Sequence, residues 1–120
     1  CGLPVQARLD WFSPEFGIGD LKTTSEGLEW FEATAHKYDM AHQMAWYRKL
    51  LELASGVKYP VYIIAVEKSE PYRVCTFRYA EDVLDQAEAE NESALRELVE
   101  CRERDEWLTR FQETRPLTRI

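Results

Sequence analysis

Six consecutive apolar residues, Val61-Tyr62-Ile63-Ile64-Ala65-Val66, most limit the folds open to this chain. Pro60 precedes them, and the turn-forming string Glu67-Lys68-Ser69-Glu70-Pro71 follows. A continuous apolar run between breakers suits a strand buried on both faces. Tyr72 to Tyr79 then alternates and should return as an antiparallel neighbour. Upstream, Val5, Ala7, Leu9 and Trp11 alternate with Gln6, Arg8 and Asp10, which predicts a strand over Val5 to Trp11 with one wet face. Ser13-Pro14-Glu15 reads as a turn. Phe16 to Thr23 follows as a second strand of an antiparallel hairpin, with Gly17 and Gly19 permitting close backbone approach.

Helical signals fill the intervals. Thr24 or Ser25 can cap a helix starting near Glu26. A longer helix is expected from Lys37 to Ala54, because Met40, Gln43, Met44, Tyr47, Leu50, Leu51 and Ala54 recur at helical spacing, and Gly56 supplies a C-cap. Ala80 to about Glu106 predicts a third, acid-rich helix. The order strand, strand, helix, strand, strand, helix is that of a mixed α/β domain. At 120 residues there is room for one core. Residues 1–106 are expected to form it, with 107–120 as a C-terminal tail.

An apolar fraction of 45% and a charged fraction of 31% mark a globular chain. No apolar stretch approaches the roughly 18 residues that span a membrane, so no membrane partner is expected. The three cysteines, Cys1, Cys75 and Cys101, form no Cys-x-x-Cys, which argues against a disulfide framework or zinc ribbon and fits a reducing, cytoplasmic setting. The net charge of -7 weighs mildly against coating DNA by charge alone. That charge is local. Residues 80–106 hold 11 acids and 3 bases, a net of -8, while the rest hold 11 acids and 12 bases. DNA therefore stays open as a substrate, with the acidic helix facing away from it.

The sharpest chemical feature is Asp20-Leu21-Lys22-Thr23-Thr24. Strand positions i and i+2 share a face, so Asp20 and Lys22 point together while Leu21 turns into the opposite core. Pairing about Glu15 places Asp10 opposite Asp20. Opposed carboxylates repel unless neutralised, and Mg²⁺ or Mn²⁺ is the natural partner for such oxygens. The pattern suits metal-assisted phosphodiester hydrolysis, with Lys22 holding the attacking water or offsetting phosphate charge. The plain alternative is a surface Asp-x-Lys salt pair. Gln43 and Tyr47 share a helix stripe. Gln43 could bridge a metal-bound water to the backbone of Asp20 or Lys22, or satisfy a strand edge. Tyr47 could touch a phosphate, or pack with its hydroxyl at the rim. His36 and His42 do not share a helix face, so structural or solvated roles are expected.

Three strings taken together resemble the nuclease domain of RecE-type phage exonucleases (exonuclease VIII). They are Gly2-x4-Ala7-Arg8-x-Asp10, Ile18-Gly19-Asp20-Leu21-Lys22-Thr23-Thr24, and Tyr38-x4-Gln43-x2-Trp46-Tyr47. The strand Pro60 to Glu67 and the pair Glu106-Trp107 also fit. The resemblance implies a restriction-endonuclease-like fold, related to lambda exonuclease and RecB-type nucleases. It implies a phage or prophage enzyme of the bacterial cytoplasm that degrades linear double-stranded DNA 5′ to 3′ with Mg²⁺. Asp10 and Asp20 would be the metal ligands, Lys22 the catalytic lysine, and Gln43 the motif glutamine. Tyr47, Thr23 and Thr24 would contact substrate. A ring-shaped homo-oligomer and a single-strand annealing protein are the expected partners. The family carries a further acidic or histidine residue on a helix ahead of the Asp10 strand. This chain is expected to be truncated at its N-terminus and to begin after that helix, without it. A repair nuclease of other polarity and an inactive DNA-binding or assembly module remain the rival readings.

Overall fold

The computed structural model describes residues 2–109 and 111–120. Four strands, β1 (Trp11–Ser13), β2 (Gly17–Thr24), β3 (Val61–Glu67) and β4 (Val74–Arg78), form one sheet in the order β1-β2-β3-β4. The two hairpins are antiparallel. β2 and β3 run parallel, and the chain between them supplies a short 3-10 turn (Leu28–Trp30) and helices α1 (Phe31–Lys37) and α2 (Met40–Ser55). Helix α3 (Glu81–Arg104) follows β4. The result is the mixed α/β domain that the element order implies.

All three helices pack on one face of the sheet. Ile18 from β2 and Val61, Ile63 and Ala65 from β3 meet Phe31 of α1, Met40, Met44 and Ala45 of α2, and Leu84 and Ala87 of α3. Phe31 stacks on Phe77 of β4, with ring centroids 5.0 Å apart. Arg48 is the largest wholly buried side chain. Its guanidinium donates from Nη1 to Glu81 at 2.9 Å and from Nη2 to Asp85 at 2.8 Å, which ties α2 to the first turns of α3. Part of the acidic charge of α3 is thus spent inside the fold.

Several expectations change. β3 is not buried on both faces: its residues alternate between buried and half-buried, because the second face of the sheet is open. Leu21, expected in an opposite core, lies on that open face and is 56% exposed. The radius of gyration, 18.0 Å, exceeds the roughly 14 Å of a compact chain of this length. One-sided cover accounts for part of this excess, as does α3, whose buried residues end at Ala87.

The first strand is shorter than its alternation suggests and begins only at Trp11. Upstream of it, the Gln6 carbonyl accepts a hydrogen bond from Trp46 Nε1 of α2 at 3.2 Å. The helix expected near Glu26 begins later, as the 3-10 turn at Leu28 leading into α1 at Phe31, because Thr24 Oγ1 first closes a local turn by accepting the Glu26 N–H and donating to the Glu26 carbonyl. The helix expected from Lys37 begins instead at Met40, because Asp39 takes a left-handed conformation (φ 53°) and divides α1 from α2. Gly56 (φ 78°) ends α2, its N–H reaching the Glu52 carbonyl at 2.7 Å. Downstream of α3, the described residues 105–120 carry no helix or strand.

Candidate active site

The site forms where the β1–β2 ladder stops. Trp11 pairs with Gly19, and continuing that register places Asp10 opposite Asp20. Asp10 does not extend the ladder with its backbone. Its Oδ2 accepts the Leu21 N–H at 3.1 Å, so a side chain takes over a strand-edge donor. This substitution is why the strand ends there, and it turns the Asp10 carboxylate toward Asp20.

The two carboxyl groups differ in surroundings. Asp20 is 3% exposed, on the helix-covered face of β2. Burial pushes its pKa up, against the pull of the Lys22 ammonium, and the neighbouring Asp10 pushes it further. Asp10 is exposed, and the Leu21 N–H, together with its interaction with Asp20, holds its carboxyl below the usual range. Of the two, the buried Asp20 is therefore the one that resists ionisation.

Lys22 is two residues along β2 on the same face as Asp20. Its Nζ lies 3.0 Å from Asp20 Oδ2 and donates to Gln43 Oε1 at 2.8 Å. Gln43 Nε2 in turn donates to the Tyr47 hydroxyl at 3.0 Å, one turn along α2. An ammonium can only donate, so it sets the orientation of the Gln43 amide. The Tyr47 hydroxyl accepts from that amide and keeps its own proton to offer outward. Asp20, Lys22, Gln43 and Tyr47 form one chain of contacts, and Asp10 is held beside it by the Leu21 N–H.

The threonines do not join them. Thr23 is exposed on the opposite face of β2. Thr24 shares the Asp20 face but commits its hydroxyl to the Glu26 turn. Neither threonine therefore joins the contacts that link Asp20 to Tyr47. His42 lies between Asp39 and Glu90, remote in role from this chain of contacts. The direct Lys22–Gln43 bond is what sequence reasoning missed. Helical spacing puts Gln43 and Tyr47 on one stripe but does not say which strand residue that stripe meets.

Among the described residues, no group of three or more Asp, Glu, His or Cys side chains converges as a metal site. The two carboxylates nevertheless suit a divalent cation. Asp20 Oδ2 is buried without a hydrogen-bond partner, its contact with Lys22 being an ion pair. A hard cation between Asp10 and Asp20 would satisfy that oxygen and relieve their repulsion.

Comparison with known proteins bears on the fold that carries this site. A family profile described as "PDDEXK-like domain of unknown function (DUF3799)" matches residues 1–114. No curated protein matches. A crystal structure of a candidate exonuclease from Eubacterium rectale superposes with a TM-score of 0.68 at 17% identity, over 93% of this chain and 47% of that one. The chain thus spans about half the length of that protein and shares its fold. With the family profile matching almost end to end, this chain belongs to the PDDEXK-like domain family DUF3799.

Proposed function

We propose that this domain is the catalytic core of a metal-dependent DNA exonuclease of the RecE type, which hydrolyses linear double-stranded DNA from its 5′ ends. The observation that carries this reading is the set of contacts from Asp20 through Lys22 and Gln43 to Tyr47, with Asp10 held beside Asp20 by the Leu21 N–H. The likeness to a candidate exonuclease supports it at the level of the fold.

In this reading Asp10 and Asp20 hold Mg²⁺ or Mn²⁺. When bound, the cation supplies a water of lowered pKa and positive charge to oppose the phosphate. Lys22 places a second positive charge 3.0 Å from the buried carboxylate, where it offsets charge that builds on the phosphate oxygens. Gln43 keeps the ammonium from collapsing wholly onto Asp20 by accepting a hydrogen bond from it. Tyr47 anchors Gln43 and turns its own hydroxyl proton toward the substrate phosphate. Repulsion from the acids of α3 is muted where Glu81 and Asp85 pair with Arg48, and Asp85 with Lys58.

The test is digestion of end-labelled linear duplex DNA. Wild-type protein with Mg²⁺ should release labelled nucleotide from 5′ ends, and chelator should abolish release. Asp20→Asn should lower the rate at least about a hundredfold, since ligand loss removes charge stabilisation worth several kcal/mol. Undiminished cutting by Asp20→Asn would overturn the assignment. Release from 3′ ends would keep the nuclease and reject the RecE-type polarity.

A further inference from the structure

The open face of the sheet carries a groove of about 850 Å³ that begins at Asp10 and is lined by Arg8, Trp11, Gly19, Leu21 and Ile64 among others. Nothing in the chemistry of the Lys22–Gln43–Tyr47 contacts uses it. Those groups lie on the helix-covered face, whereas this groove leads away from the acid pair on the other side.

Its most distinctive wall is Trp11, which is 50% exposed beside a charged site. The ring is held in place by what it lies on. Trp11 pairs with Gly19, and a Cβ at Gly19 would stand 2.8 Å from Trp11 Cε3. Only a glycine there lets the indole rest against the β2 backbone. One ring face is fixed by the strand, and half the residue stays open to solvent. Leu21, also on the open face, extends the apolar surface, and Arg8 adds a cation at the Asp10 end.

Resting on the nuclease reading above, we infer that this groove receives an unpaired nucleotide next to the scissile phosphate, its base stacked on Trp11 and its phosphate paired with Arg8. Three features choose this occupant. Asp10 lines the groove, so a strand whose phosphate lies at Asp10 can pass directly into it. Its lining joins a cation, Arg8, to the apolar surface of Trp11, Leu21 and Ile64, as a nucleotide joins a phosphate to a base. An aromatic plane in a groove serves only a base taken out of its stack, because duplex DNA hides its base faces. The domain therefore grips the frayed end of a duplex, and single strands satisfy the same site.

The test compares two fluorescent single-stranded oligonucleotides of one length, one normal and one abasic throughout, by anisotropy with Ca²⁺ in place of Mg²⁺. The two share their phosphates and differ in their bases. Stacking on one aromatic side chain is worth about 1–3 kcal/mol, so wild-type protein should bind the normal strand roughly tenfold or more tighter. Trp11→Leu, which keeps apolar cover over Gly19, should bind both strands at the abasic level. Trp11→Phe should retain most of the preference. Arg8→Gln should weaken both strands alike. A Trp11→Leu protein that still prefers the normal strand as the wild type does would overturn the inference, and would leave the function standing if wild-type protein cuts DNA with Mg²⁺. A wild-type protein that cuts no DNA would overturn the function, and the inference with it.

Discussion

Arg48 offers a sharp test of what holds the site's helix in place. The residue is 0% exposed on α2, yet its partners Glu81, Asp85 and Glu88 are all on α3. Replacing it with methionine removes two charge-assisted hydrogen bonds, worth about 1.5–3 kcal/mol each. It also removes the dehydration of a buried guanidinium, an opposing contribution of several kcal/mol. Arg48 Nε is buried without a partner, which raises that opposing contribution. The side chains of Glu81 and Asp85 are about half exposed, so both rehydrate once the arginine is gone, while Glu88, 3.5 Å from Nη2 and 20% exposed, recovers less water. The effects nearly cancel, and Arg48→Met should lose no more than about 1 kcal/mol. Arg48→Ala also loses the buried stem: the two methylenes beyond Cβ at about 0.8 kcal/mol each, with about 1–2 kcal/mol for the cavity left behind, bring its loss to about 3–4 kcal/mol. Urea melts followed by circular dichroism measure both. The two variants should differ by about 2–3 kcal/mol, and nuclease activity should survive in the methionine variant because Met44 and Ala45 still anchor α2. Equal losses in the two would refute this reasoning and show that charge pairing, not packing of the stem, holds α2 to α3.

Other residues give independent checks. Gln43→Met should lower kcat roughly tenfold through the lost hydrogen bond to a charged group, with little change in KM, and Tyr47→Phe should do less; equal wild-type rates would remove both from the mechanism. Glu67 accepts hydrogen bonds from Arg73 and from the Leu28 N–H, and its pKa is lowered to about 2, chiefly by Arg73. Because the folded value lies below the ordinary 4.5, this stabilisation is full above pH 4.5 and is lost as the pH falls toward 2. Glu67→Gln should flatten the acid limb of Tm against pH, and an unchanged limb would contradict the pairing. Gly17→Ala should prevent stable folding, since φ is +117° and the new Cβ would stand 2.4 Å from the Pro60 carbonyl oxygen. Gly56→Ala meets open space and should lose only the left-handed strain of about 1–2 kcal/mol, readable as a modest Tm shift.

How much of the fold was legible depends on whether the signal was local. The β3–β4 hairpin is written in its own residues, and so is the end of α2 at Gly56. The break between α1 and α2 is not. Asp39 bears a left-handed conformation that aspartate tolerates but does not demand, so helical periodicity ran through it unopposed. The alternation from Val5 to Trp11 was real, but pairing needs an available partner edge. At Leu21 the Asp10 side chain had already taken the edge donor. The open face was illegible for a different reason. A continuous apolar run says that a strand lies within an apolar setting, not that both of its sides are covered. Half-burial of Tyr62, Ile64 and Val66 can be seen only once the helices are known to gather on the other side.

The site divides along the same line. Asp10, Asp20 and Lys22 could be placed together because a hairpin register is arithmetic: once the turn lies at Ser13 to Phe16, positions across the ladder follow by counting. Gln43 obeys a different geometry. Its helix stripe could be counted, but the distance from α2 to β2 is set by Ile18, Met44 and Ala45 packing beneath them. That spacing brings the Gln43 amide to the Lys22 ammonium instead of to the strand backbone. The difference matters chemically. An amide bound to backbone would only brace the strand. Bound to Lys22, it divides the ammonium between a buried carboxylate and a neutral acceptor, which under the proposed function leaves part of that positive charge for a phosphate. The same packing that hides Asp20 therefore also decides how much charge Lys22 can offer.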